Sequence, residues 1–227
     1  WSTNTNSYVW VQLPMLSSTT TIYAYWGNPI SPTPTYSTNG AVWSNGYRGV
    51  WHLAETSGTA RDSTRRGGDG TPIAVDQNTN GVVDGADAFT GNSPSEYVCG
   101  SSSSLDVGYG TWESWVYATN YVSSFINVIG KGWSAAYWYG LMQTSGKIRL
   151  HVAGPAHDSN GAIPLNQWTH ILSTWDGVNV RHYINGVLDA TVAEIGLPKA
   201  NPGINTHIGA NYSDGISGAL TYWWPGM

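Results

Sequence analysis

Residues 166–192 read NQWTHILSTWDGVNVRHYINGVLDATV. Three runs rich in β-branched, apolar and aromatic residues are divided by Asp176-Gly177 and Asn185-Gly186. Asp-Gly and Asn-Gly suit the positive-φ positions of tight hairpin turns, so the stretch predicts three consecutive antiparallel strands. The same pattern extends outward. In TSGK, Ser145-Gly146 separates YGLMQ from IRLHV, and RGVWHLA, SEYVCG, TWESWVYAT, SFINVIGKG and THIGANY are further short runs among Gly, Asn, Asp and Ser. Upstream, YVWVQLP and TTIYAYWG also read as strands, and NPISPTPTYSTNG reads as a connector. Helix-period patterns are nearly absent. This succession predicts an all-β fold, a two-sheet antiparallel β-sandwich of jelly-roll type, with no helix longer than about two turns.

Composition narrows the function. Only 10% of the 227 residues are charged, and the net charge is −5. The basic stripe of a nucleic-acid-binding protein is missing. The one Arg cluster, Arg61, Arg65 and Arg66, is interrupted by Asp62 and followed by Asp69, and reads as a solvated loop. No apolar run approaches the ~18 residues of a membrane span. The low charge suggests an extracellular or cell-surface protein. The opening WSTNTNSYVW reads as a cut or mature start. The aromatic content is 13 Trp and 14 Tyr against 2 Phe. Tyr and Trp combine an apolar face with a polar edge, which suits stacking on sugar rings.

Several stretches in order resemble a known family. GVWHLAETSGTARDSTRRGGDGT, GADAFTGNSPSEYV, SLDVGYGTWESWVYAT, IGKG, YGLMQTSGKIRLHV, the quoted 166–190 stretch and HIGANYSDGISGAL resemble LamG-like jelly-roll domains of the concanavalin A-like lectin/glucanase superfamily. The preceding YVWVQLPMLSSTTTIYAYWGNP resembles the end of a DUF2341 domain. The resemblance implies a segment over residues 1–48 that packs on or extends a sandwich over residues 49–227, within a larger multidomain chain. It also implies that Trp112 and Val116 point into the core, and that His52 and His170 serve packing and hydrogen bonding. Two acidic positions of the family pattern are Thr here, Thr90 and Thr221. The superfamily holds lectins, adhesion modules, glycosidases and lyases, so fold alone does not choose among them.

Candidate sites follow from residue type and strand alternation. In TWESWVY, Glu113, Trp115 and Tyr117 share one face. With Trp133, Trp138 and Tyr139 of KGWSAAYWYG, Trp115 and Tyr117 form the expected carbohydrate-binding set, because flat rings with nearby polar groups hold a hydroxyl-rich ring. Glu113 is the candidate general acid of an alternative glycosidase or lyase reading. Retaining and inverting enzymes need a second carboxyl group about 5–5.5 or 6.5–9.5 Å away, and no E-x-D-x-x-E run provides one. G-x-S-x-G and H-E-x-x-H are absent. Asp76, Asn78 and Asn80 have the D-x-N-x-N-G spacing of a calcium loop, with Val82, Asp84 and Asp87 at the later ligand positions. The expected function is non-catalytic, lectin-like binding of a polysaccharide or glycan, with a calcium ion at the acidic loop. A structural or adhesive module without ligand is the third reading.

Overall fold

A computed structural model describes residues 7–25, 27–28, 32, 38–91, 95–121, 126–132, 139–152, 154–198, 203–210 and 225–226. The strands are β1 (Thr71–Ile73), β2 (Asp76–Asn80), β3 (Gly85–Thr90), β4 (Glu96–Val98), β5 (Gly110–Tyr117), β6 (Ile126–Lys131) and β7 (Tyr139–Thr144). They continue with β8 (Lys147–His151), β9 (Ala156–Ala162), β10 (Trp168–Trp175), β11 (Asn179–Ile184), β12 (Val187–Ala193), β13 (Thr206–Ile208) and β14 (Pro225–Gly226). The helices among the described residues are single 3-10 turns at Ala41–Trp43 and Ser103–Leu105.

The strands form a seven-stranded sheet, β1-β4-β13-β6-β7-β8-β9, and a four-stranded sheet, β12-β11-β10-β5. A smaller sheet, β14-β3-β2, completes the set, and all named strand pairs are antiparallel. The hairpins form where the sequence places them. Ser145 and Gly146, with φ of 48° and 87°, link β7 to β8, and Asn185 and Gly186, with φ of 51° and 78°, link β11 to β12. Two successive positive-φ residues match the twist of the flanking strands. Between β10 and β11, Asp176 Oδ1 accepts the N–H groups of Val178 at 2.9 Å and Asn179 at 2.7 Å.

The core lies between the two large sheets. β10 alternates strictly, with Thr169, Ile171, Ser173 and Trp175 buried and Trp168, His170, Leu172 and Thr174 on the other face. On β5, Trp112 and Val116 are buried at 7% and 2% exposure, as the sequence predicts. They join one apolar cluster with Ile171 and Val180 from the same sheet and Tyr97, Leu141, Ile148 and Leu150 from the larger sheet.

The loop before β1 is organised by one carboxylate. Asp62 is fully buried. Its Oδ1 accepts the N–H groups of Val50 at 3.1 Å and Thr64 at 3.0 Å, and the Thr64 hydroxyl donates to it at 2.8 Å. Its Oδ2 takes the Gly68 N–H at 3.3 Å. Arg61, by contrast, pairs at the surface with Asp69.

Two sequence expectations change. Residues 7–25 contain no strand, so the predicted N-terminal strands do not form there. Their exposed Val9, Val11, Met15 and Leu16 find no ladder to join. The segment touches the sandwich through Trp10, whose ring stacks on His52 at 4.7 Å. The acidic DQNTN stretch is strand β2 rather than a loop.

Candidate functional site

The outer face of the four-stranded sheet gathers Glu113, Trp115 and Tyr117 from β5 with Trp168 and His170 from β10. The β5–β10 register sets Trp115 opposite His170 and Tyr117 opposite Trp168. Their rings meet at centroid distances of 5.3 Å and 5.7 Å. Cross-strand aromatic pairs of this kind stabilise a sheet face while leaving ring surface to solvent. Trp115 remains 46% exposed. Diagonally across the ladder, Glu113 Oε2 lies 3.3 Å from His170 Nε2. The face therefore offers flat apolar rings beside a carboxylate and an imidazole.

Trp168 and His170 were not read as site residues in the sequence. His170 was expected to pack and hydrogen-bond. It lies on the outer face, packed against Trp115, with its Nε2 near Glu113 and its backbone N–H donated to Asn185 Oδ1. The register that brings these residues to Trp115 and Glu113 is a property of strand pairing.

Among the described residues, this face sets no second carboxylate beside Glu113. Its neighbours on the face are Thr111 and Trp115 along the strand, Leu172 across it and His170 on the diagonal. None is acidic.

Tyr139 requires a correction. It was expected in the carbohydrate-binding set, but it is 2% exposed and its ring lies 5.3 Å from that of Trp112. β7 runs between β6 and β8, and Tyr139 faces the inter-sheet core from it. A ring enclosed there has no surface for a sugar. Trp133 and Trp138 lie outside the described residues.

The residues of the expected calcium set fall on one hairpin. β2 and β3 pair as a hairpin, with Asp76 opposite Ala88 and Asn80 opposite Gly85. Asp76, Asn78, Asn80, Val82, Asp84 and Asp87 thus lie on two paired strands and their turn. Asn78 sits at an irregularity of the ladder with φ of 75°. Asp87 points inward, 1% exposed, and accepts the Tyr97 hydroxyl at 2.5 Å. The Tyr97 oxygen also receives Gln77 Nε2 at 2.8 Å. Burial pushes the Asp87 carboxyl up to about 6. Among the described residues, no three His, Cys, Asp or Glu side chains are placed to share a metal ion.

Other titratable groups are sealed inside. Glu96 and His207 pair at 2.7 Å with 0% and 1% side-chain exposure, and His157 pairs with Glu194 at 2.9 Å. Ser173 Oγ lies 2.7 Å from His182 Nδ1, but both residues are fully buried, so the pair is closed to substrate. Cys99 is buried and its thiol is held well above its ordinary value by burial.

A cleft of about 1040 Å³ reaches from the outer face into the space between the sheets, where Trp112, Val116, Val128 and Tyr139 also line it. Glu113, Trp115, Trp168 and His170 line it together with Trp10 and His52.

The profile of Laminin_G_3, concanavalin A-like lectin/glucanases superfamily, matches residues 90–226. The chain belongs to this superfamily. Solved structures of similar fold include domain 4 of AbnA, an extracellular arabinanase from Geobacillus stearothermophilus, in complex with arabinotriose. Its identity is 19%, its TM-score 0.53, and the alignment covers 73% of this chain and 87% of that one. Trypanosoma rangeli sialidase in complex with the inhibitor DANA aligns at 16% identity and TM-score 0.52, over 74% of this chain and 28% of the sialidase. The binding domain of Paraclostridial mosquitocidal protein 1 aligns at 13% identity and TM-score 0.50, over 70% of this chain and 45% of that one. The chain thus spans less than half the length of the latter two. At these identities the likeness is one of fold. A search of curated proteins finds no match. The superfamily assignment agrees with the resemblance read in the sequence, over the portion from residue 90 onward.

Proposed function

We propose that this superfamily member is a non-catalytic carbohydrate-binding module, and that the outer face of the β12-β11-β10-β5 sheet is its binding surface. The observation that carries the reading is the half-exposed Trp115 ring set beside the His170–Glu113 pair. A sugar ring presents a patch of C–H groups that stacks on an indole and a rim of hydroxyls that needs hydrogen-bond partners. Trp115 supplies the first surface. Glu113 accepts from hydroxyls and the imidazole of His170 exchanges hydrogen bonds beside it. The arabinotriose complex of the similar arabinanase domain supports a glycan as the ligand class. An extracellular or surface location, as one part of a longer chain, suits such a module.

Titration calorimetry with arabinotriose and soluble β-linked polysaccharides tests the reading. Binding by the parent protein with loss in Trp115→Ala is the expected result. The absence of binding to every glycan on an array would remove the carbohydrate function.

A further inference from the structure

The N-terminal segment carries a second aromatic group, which the family match leaves out. Trp10 stacks on His52 at 4.7 Å with 20° between the ring planes, and Trp43 closes the group at 5.4 Å from both rings. Tyr47 meets Trp43 edge-on at 5.1 Å. Trp10 is 47% and Tyr47 42% exposed. Rings that pack on each other yet keep so much surface in water are not core. They form a platform.

This platform and the Trp115 face line the same cleft. Its volume of about 1040 Å³ takes in space between the sheets, beside the core residues Trp112, Val116, Val128 and Tyr139. Arg48 also lines the cleft and offers hydrogen-bond donors. Burial lowers the pKa of His52, which keeps the stacked imidazole neutral near pH 7 and suits an uncharged ligand.

We propose that the cleft is an extended glycan groove with two aromatic subsites, one at Trp115 and His170 and the other at Trp10, Trp43 and His52. The ligand is then an internal stretch of a polysaccharide chain rather than a single terminal sugar. This inference rests on the carbohydrate-binding reading and deepens it. It gives residues before the matched region a direct role in recognition, since Trp10, Trp43 and His52 all precede residue 90.

The test is calorimetry of the full chain with arabino-oligosaccharides and cello-oligosaccharides, each from disaccharide to hexasaccharide. In the parent protein, affinity rises at least tenfold from the shortest to the longest oligomer of the series that binds. Trp10→Ala removes that rise, whereas Trp10→Phe keeps most of it. Trp115→Ala weakens every length. Equal affinity for short and long oligomers, or a length dependence untouched in Trp10→Ala and Trp43→Ala, overturns the second subsite while leaving the Trp115 site standing. Failure of the parent to bind any member of either series overturns the groove. If the glycan array is blank as well, the carbohydrate reading falls with it. Melting curves confirm that each variant is folded, because Trp10 lies outside the inter-sheet core.

Discussion

Glu113 and His170 meet on the diagonal of the β5–β10 ladder, with Glu113 Oε2 3.3 Å from His170 Nε2 and the Trp115 ring directly opposite the imidazole. Their side chains keep 49% and 23% of their surface in solvent. A pair so exposed contributes little to folding, roughly 0–1 kcal/mol. Its value lies in holding two polar groups at the rim of an aromatic surface. Glu113→Gln and His170→Asn should therefore leave the melting temperature nearly unchanged. In a double-mutant cycle on glycan affinity the two should couple, because each orients the other. Strictly additive effects would mean that the two groups act independently of one another.

Trp115 and Tyr139 separate binding from stability. Trp115→Ala should weaken glycan binding by ~1–3 kcal/mol, on the scale of an aromatic hot spot, with the circular dichroism spectrum unchanged. Tyr139→Ala should instead cost folding stability, by about 3–5 kcal/mol as for other large aromatics removed from a core. Denaturant titration of both variants checks the contrast.

Asp62 holds the first loop by accepting from Val50, Thr64 and Gly68. Asp62→Ala leaves three buried backbone N–H groups without that acceptor, and each unsatisfied buried donor costs about 1–3 kcal/mol. A stability loss of several kcal/mol is expected in urea unfolding. Asp62→Asn should cost less, since its amide oxygen retains part of the acceptor role.

Acid stability has opposing contributions. Burial lowers His151 and His182 from 6.5 to about 4. Between those limits the unfolded chain takes up protons that the folded chain refuses, so stability falls as pH drops from 6.5 toward 4. Asp87 works the other way. Its pKa is raised from 3.8 to about 6, so its contribution is complete below 3.8 and is lost as pH rises through 6. The two histidines outnumber the one carboxyl, and the melting temperature should decline from pH 6.5 to pH 4. Asp87→Asn should raise stability above pH 6 by ~1–2 kcal/mol, because it removes a buried charge while keeping an acceptor for Tyr97. A variant less stable at pH 8 than the parent would show that the charge of Asp87 is compensated.

With Asp76, Asp84 and Asp87 strung along two paired strands and a turn, melting in millimolar calcium and in chelator should coincide. A calcium-dependent rise that vanishes in Asp76→Ala would show that an ion gathers these residues, since binding to the folded state alone must raise stability.

Much of the fold was legible in the linear pattern because turns and alternation are local. Asn185-Gly186 and Ser145-Gly146 adopt positive φ by their own chemistry. The period-two burial of β10, with Ile171 in and His170 out, follows from strand geometry alone. For the same reason Glu113 and Trp115 could be assigned to one face, with Trp112 and Val116 on the other. What lay beyond local pattern was pairing. The DQNTN stretch reads as a loop in the sequence, and its pairing with β3 makes it a strand. Tyr139 reads as an aromatic available to solvent until β6 and β8 flank its strand and the facing sheet covers its ring. The apolar runs near the N-terminus have strand composition, but without a partner ladder their backbone groups stay with water. The meeting of His170 with Glu113, and of Trp10 with His52, joins residues 57 and 42 positions apart in the chain. No local propensity encodes such distances. They arise only when burial of the apolar faces fixes which strands lie side by side.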